Sequence, residues 1–292
     1  MNYMIPKYID THSHVNFTAF DADRDEVIRR ALNNDTWVIN VGTQVDTSKK
    51  AVALAHKYEN GIYAVIGLHP IHTDASFHDE KELGEGGKEF TSRGEIFDKN
   101  IYRELLKDSK VVAIGECGLD YFRTEPSSVE KQKKAFIEQI ELANEIGKPL
   151  MLHIRDARPD ENPFGRAYAD TIEILKEHAR VKGVVHFFAG NVAEAKDFIA
   201  FGFLISFAGV ITYPPKKDGT GSNYAEIIKN TPLGMILTDT DSPYVAPMPY
   251  RGKRNEPVYV KEIVKKIAEI KGLAETEVAE AVIANARKLF AI

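Results

Sequence analysis

Eight short apolar runs, beginning near residues 8, 36, 62, 111, 149, 183, 203 and 235, alternate with helical stretches along the whole chain. Runs of about 4–8 residues rich in Val, Ile and Leu suit strands buried on both faces, the condition of a parallel sheet. Parallel neighbours need long crossover connections, normally right-handed helices. Asp25 to Leu32, Asp46 to Tyr58, the stretch after Ser127, Ala193 to Phe201 and a final pair of helices supply them. Eight such units predict an α/β chain closed as a distorted (β/α)8 TIM barrel. Barrels of this kind run to about 250 residues before insertions. The 292 residues here carry no low-complexity linker and are expected to form a single domain, 1–292.

Local signals refine the helices. Ser127-Ser128-Val129-Glu130 predicts a capping box, with Ser127 taking the N3 amide and Glu130 reaching back. Val129, Phe136, Ile140 and Ala143 then share one apolar face, and Gly147 before Pro149 ends the helix. In the last helix Val278, Ala281, Val282 and Leu289 form the expected inward stripe. Residues 72–100 and 158–166 follow strand ends and look like insertions, placed to wall a pocket and tune what enters it.

Five of the apolar runs end on side chains that bind metals: His12 and His14, Glu116, His153, His186, and Asp241. In a barrel, all strand ends of one polarity meet at the catalytic face, so residues spread from 12 to 241 converge. His12 and His14 are two apart, so an extended strand turns both toward one side, where they can clasp one ion. Glu116 has two oxygens and can bridge a pair of cations. His153 and His186, from consecutive strands, can hold the second ion, and Asp241 can bind the first. Imidazole with carboxylate suits Zn, Mn, Fe, Co or Ni, and open water positions also admit Mg. The expectation is two divalent metal ions. His56, His72, His78 and His178 lie outside the pattern and read as ordinary polar residues. Cys117, beside Glu116, is expected to face the barrel wall.

Composition narrows the setting. No apolar segment reaches the roughly 18–20 residues of a membrane span, and residues 1–7 lack the apolar core of a signal peptide. The single cysteine excludes an internal disulfide and suits a reducing compartment, so a cytoplasmic location, no membrane and no obligate protein partner are expected. A net charge of −5 gives no basic track for long nucleic acid. A nucleic-acid substrate would be gripped at a short end, through a few local contacts.

The strings Asp10-Thr11-His12-Ser13-His14, Gly67-Leu68-His69-Pro70, Gly115-Glu116-Cys117-Gly118-Leu119-Asp120, His153-Ile154-Arg155-Asp156-Ala157, His186-Phe187-Phe188-Ala189-Gly190, Asp239-Thr240-Asp241-Ser242-Pro243-Tyr244 and the run from Pro249 to Pro257 resemble the TatD family of metal-dependent deoxyribonucleases across essentially the whole chain. The resemblance implies an amidohydrolase-type metal barrel that hydrolyses phosphodiesters. It maps the metal ligands onto His12, His14, Glu116, His153, His186 and Asp241. It also implies exonuclease action from the 3′ end of single-stranded DNA. Two departures stand out: Asp239 replaces the family's usual Glu, and Tyr250 stands where a histidine is common. Asp239 shares a strand face with Asp241 and is its main rival as ligand.

The expected mechanism follows from these parts. Metal ions activate a water and polarise the phosphoryl oxygen. Asp241 acts as general base, with Glu116 as the other catalytic carboxylate. Arg155 and Arg251 or Lys253 neutralise phosphate. His69 contacts substrate or orients a ligand. Tyr121, Tyr213 and Tyr244 are available for stacking on a base or for packing the barrel. The same centre would serve a carbonyl, so an amide, lactone or aminoacyl-tRNA ester hydrolase is the rival reading, and a non-catalytic metal-binding protein a more distant one.

Overall fold

A computed structural model describes residues 5–78, 90–122, 125–157, 165–215 and 222–292. Side chains are described over the same residues except 76–78, 90–92 and 126. Eight parallel strands form a nearly closed barrel: β1 (Tyr8–Ser13), β2 (Thr36–Val41), β3 (Ile62–Ile66), β6 (Val111–Asp120), β7 (Leu150–Arg155), β8 (Gly183–Val185), β9 (Phe203–Phe207) and β10 (Ile236–Thr238), hydrogen-bonded in that order. Their starts fall within one residue of the eight apolar runs. Residues 72–100 add a small antiparallel hairpin outside the barrel, β4 (Ser76–His78) with β5 (Phe90–Ser92). Its remainder, and most of 158–166, lie outside the described residues.

The helices cover the barrel. They are α1 (Arg24–Leu32), α2 (Val45–His56), α3 (Lys99–Leu105), α4 (Pro126–Ile146), α5 (Ala167–His178), α6 (Val192–Ala200), α7 (Tyr224–Asn230), α8 (Val260–Lys271) and α9 (Glu275–Phe290). In α4 the predicted apolar face is buried, with Phe136, Ile140 and Ala143 sealed from solvent. Its start differs from expectation. Glu125 is the N-cap residue, Pro126 occupies the first turn, and no side-chain cap forms, so the Ser127 capping box is absent. Proline's fixed φ and missing N–H favour the first helical position, which draws the boundary back past Ser127. In α9 the buried stripe is Val278, Val282, Ile283, Ala286 and Phe290, and Ala281 and Leu289 only flank it.

The seam between β10 and β1 closes through side chains instead of a full ladder. Thr11 Oγ1 donates to the Thr238 carbonyl (2.9 Å). Asp10, fully buried, accepts from the Thr240 N–H (2.8 Å) and its hydroxyl (2.6 Å). The Asp241 N–H donates to the His12 carbonyl (2.9 Å). The seam therefore fixes the chain on which His12, His14 and Asp241 stand.

Candidate metal centre

His12 is the fifth residue of β1 and His14 follows its end, so the two-residue period brings both rings to one side. Their Nε2 atoms are 3.1 Å apart. Each ring's other nitrogen is engaged: His14 Nδ1 faces the Val41 carbonyl (2.9 Å) and His12 Nδ1 faces the Met151 sulfur (3.1 Å). Because the carbonyl can only accept and the thioether offers only an acceptor, both protons sit on Nδ1, leaving Nε2 lone pairs. Glu116 Oε2 lies 3.3 Å from His12 Nε2 and 3.6 Å from His14 Nε2, and Asp241 Oδ1 lies 3.8 and 3.5 Å from the same atoms. Two imidazole nitrogens and two carboxylate oxygens at this spacing suit a divalent cation; against burial, the contact with Asp241 raises the His14 pKa, so a proton can take the same place.

The other oxygen of Glu116 looks the opposite way. Oε1 lies 2.7 Å from His186 Nε2, 2.9 Å from His153 Nδ1 and 3.4 Å from His69 Nε2. The register of β6 on β7 explains the His153 position. Gly118 pairs with His153, and Glu116 and Asp120 flank it two residues either way. The His153 ring therefore spans two carboxylates, with Nδ1 on Glu116 and Nε2 on Asp120 Oδ2 (2.8 Å). Gly118 is required here: its φ is +138°, and a Cβ would strike the His153 carbonyl oxygen. The His186 ring stacks on His12 at 3.8 Å, tying the two halves together.

His69 is N-cap of a short 3₁₀ turn, where its Nδ1 accepts from the Ile71 N–H (3.2 Å). Its proton is thus on Nε2, aimed at Glu116. It enters the cluster as a donor, not as a lone pair.

Electrostatics agree with this division. Burial lowers the pKa of His12 to about 3, so its ring is neutral. Burial would raise Glu116, but the surrounding His186, His69 and His12 hold it well below the usual carboxylate range. Burial likewise opposes ionisation of Asp241, and its contact with His14 outweighs that and lowers its pKa. Burial disfavours the His153 cation, yet the hydrogen bonds it donates to Asp120 and Glu116 raise its pKa to about 9.

Among the described residues Asp239 belongs to none of the three groups of facing donors, and its Oδ1 is buried without a hydrogen-bond partner. Its Oδ2 accepts from the Ser206 hydroxyl and from the Phe187 N–H (3.1 Å). Burial raises its pKa to about 6. Arg155, Arg251 and Lys253 are exposed, and Arg155 ends β7 opposite Asp120. The Arg155 guanidinium lies 3.7 Å over the Phe122 ring, and that of Arg251 lies 4.4 Å over Tyr213. Arg254, counted with them in the basic run, is committed elsewhere, because Asp23 takes both of its terminal nitrogens (2.9 and 2.5 Å). Of the tyrosines, Tyr121 packs in the core with its hydroxyl on Asp170 (2.7 Å). Tyr213 donates to the Ala246 carbonyl (2.7 Å), and the Tyr244 ring lies 6.2 Å from that of His14. Tyr250 stacks on Tyr259 at 3.8 Å. Asp120 and Met151, which orient His153 and His12, carried no separate signal in the sequence. The alternation of Glu116, Gly118 and Asp120 was the one available clue to Asp120.

A parallel barrel gathering imidazoles and carboxylates at its strand ends defines the class of metal-dependent hydrolases. The family model described as TatD related DNase matches residues 9–291, and the chain belongs to that family. It is 36% identical over 286 residues to the uncharacterized metal-dependent hydrolase YabD of Bacillus subtilis, covering 97% of this chain and 98% of that one. It is 30% identical to a Pectobacterium atrosepticum protein named 3′-5′ ssDNA/RNA exonuclease TatD, covering 94% and 97%. The crystal structure of YjjV, a TatD homologue from Escherichia coli, superposes with a TM-score of 0.79 at 28% identity, covering 99% of this chain and all of that one. Among the described residues no helix is long and apolar enough to cross a membrane.

Proposed function

We propose that this chain is a two-metal phosphodiesterase that removes nucleotides from the 3′ ends of single-stranded nucleic acid. The observation that carries the reading is the split carboxylate of Glu116, with Oε2 turned to His12 and His14 and Oε1 to His153 and His186. His12, His14, Glu116 and Asp241 would hold one ion, and Glu116, His153 and His186 would hold the other. The exonuclease name of the Pectobacterium relative supports the substrate class.

The bound ions supply Lewis acidity and lower the pKa of a coordinated water. Asp241, kept ionised, would accept the attacking water's proton at a carboxylate oxygen and return it to the leaving oxygen as the P–O bond breaks. His69, with its Nε2–H aimed at Glu116 Oε1 (3.4 Å), would orient the carboxylate that faces both ion positions. Arg155, Arg251 and Lys253 neutralise the flanking phosphates, and few such contacts imply a shallow salt dependence.

The test compares circular and linear single-stranded DNA with the metal-loaded protein. Release of mononucleotides from the linear strand alone, beginning at its 3′ end, is the expected result. Equal cleavage of the circle would refute end recognition. Turnover of an ester or lactone with no attack on either DNA would move the chemistry to a carbonyl.

A further inference from the structure

Helix α4 carries two buried glutamines, Gln132 and Gln139, both 1% exposed. They are seven residues apart, so they lie on one helix face two turns from each other. Each bridges both backbone groups of one distant residue, and Gln139 Nε2 also donates to the Ala135 carbonyl of its own helix (3.2 Å). Gln139 Oε1 accepts from the Leu68 N–H (2.8 Å) and its Nε2 donates to the Leu68 carbonyl (3.0 Å). Gln132 Oε1 accepts from the Asp120 N–H (2.9 Å) and its Nε2 donates to the Asp120 carbonyl (2.9 Å).

The sheet explains why these amides are needed. Strands β3 and β6 are paired from Ala64 to Ile66, opposite Val111 to Ile114. There β3 stops, whereas β6 runs on to Asp120, bonded to β7 on its other edge. The barrel wall therefore parts between β3 and β6 at the end that bears the chemistry. A carboxamide oxygen and one of its two N–H groups match the acceptor and donor of a peptide, and so stand in for the missing strand. Gly67 completes the fit, since a Cβ there would come within 2.6 Å of Gln139 Oε1 and 2.7 Å of the Gly115 backbone.

What the clamps hold is specific. Leu68 precedes His69, and Asp120 is the carboxylate that grips His153 Nε2 (2.8 Å). We infer that Gln132 and Gln139 are positioning residues, which span the split wall and set His153 and His69 against Glu116. This rests on the metal-centre reading above. Gln132 acts through Asp120 on the ion shared by Glu116, His153 and His186. Gln139 acts on His69, a donor and not a ligand.

Cobalt(II) titration followed by visible absorption tests the inference on the whole chain. Wild-type protein should bind two equivalents. Gln132→Met, similar in volume and unable to bridge the Asp120 backbone, should weaken one equivalent by about 10–100-fold, the scale of lost outer-shell support, and leave the other unchanged. Gln139→Met should leave both equivalents near wild type while lowering kcat, with KM preserved, on bis(p-nitrophenyl) phosphate. Ile140→Val, on the same helix, lowers stability without touching either clamp and should leave cobalt binding unchanged. Should Gln132→Met fail to fold, Gln132→Asn, one methylene too short, carries the same expectation. Cobalt affinity in the Gln132 variants equal to that of Ile140→Val would overturn the inference. A wild-type protein that binds no cobalt would overturn the metal reading itself.

Discussion

Two aspartates separated by one threonine meet different surroundings at this centre. Asp241 has a left-handed backbone (φ 52°), an uncommon conformation for a residue with a side chain, stabilised here by the Asp241 N–H on His12 and by the seam around Asp10. That conformation turns the Asp241 carboxylate toward His14, whereas Asp239 is turned to Ser206 and Phe187. Sequence spacing could not separate them, since alternation places both on one face and the left-handed step is invisible in the residue letters. Asp241→Asn is therefore expected to lose about 10²-fold or more in turnover, the scale of a lost general base. Asp239→Asn should lose about 10–100-fold at most, as an outer-shell support. Steady-state rates on a single-stranded oligonucleotide would rank them, and the reverse order would transfer the base and ligand roles to Asp239.

Elements were legible where apolar periodicity decides them and illegible where a cap or a distant partner does. Each barrel strand begins within a residue of its run, because burial on both faces forces a continuous apolar stretch. The capping box expected at Ser127 gave way to Pro126, while one formed instead at Asn191, whose side chain takes the Ala193 and Glu194 amides as Glu194 returns to Asn191. The clustered donors were legible because each follows an apolar run, although Glu116 and His153 prove to lie inside β6 and β7, which continue past them. Gln132, Gln139 and Met151 were not, because their partners, 12, 71 and 139 residues away, lie in other elements. Strand β6 depends most on one close approach. Gly118→Ala should cost about 2–4 kcal/mol, combining overpacking with left-handed strain, read as a fall in urea midpoint. It should also displace His153 and weaken metal binding in the same variant; unchanged stability would mean that β6 and β7 can separate freely. A second element-scale contact is acid-sensitive. The Arg254 hydrogen bond holds the Asp23 pKa below its ordinary value. Its contribution is thus present above the unfolded aspartate pKa of about 3.9 and is lost as pH falls through the lower folded value. Arg254→Ala should be less stable than wild type at pH 7, by about 1 kcal/mol or less for so exposed a pair. The two proteins should converge near pH 2–3, and a constant difference across that range would assign the loss to packing on Phe20 instead.

At the scale of the molecule, the donor cluster is also a brace. His12 comes from β1, Glu116 from β6, His153 from β7, His186 from just beyond β8 and Asp241 from beyond β10, so one cluster links strands on both sides of the seam. Without cations those strand ends present facing lone pairs and buried carboxylates, which repel or must take up protons. Ions that bind the folded barrel and not the open chain stabilise it by mass action, about 2.7 kcal/mol for a site held at a hundred times its Kd. For a chain of this size a kilocalorie per mole corresponds to roughly 2–4 °C in Tm. Removing metal with a chelator should therefore lower the Tm by several degrees, and adding back a divalent ion should restore it in a concentration-dependent way. The same ion should do much less for a His12→Ala, His14→Ala double variant, which keeps the His153 and His186 side of the cluster. Calorimetry showing no chelator effect on a protein proven to carry metal would mean that the seam is held by Asp10 and Thr240 alone, and that the ions serve chemistry without bracing the barrel.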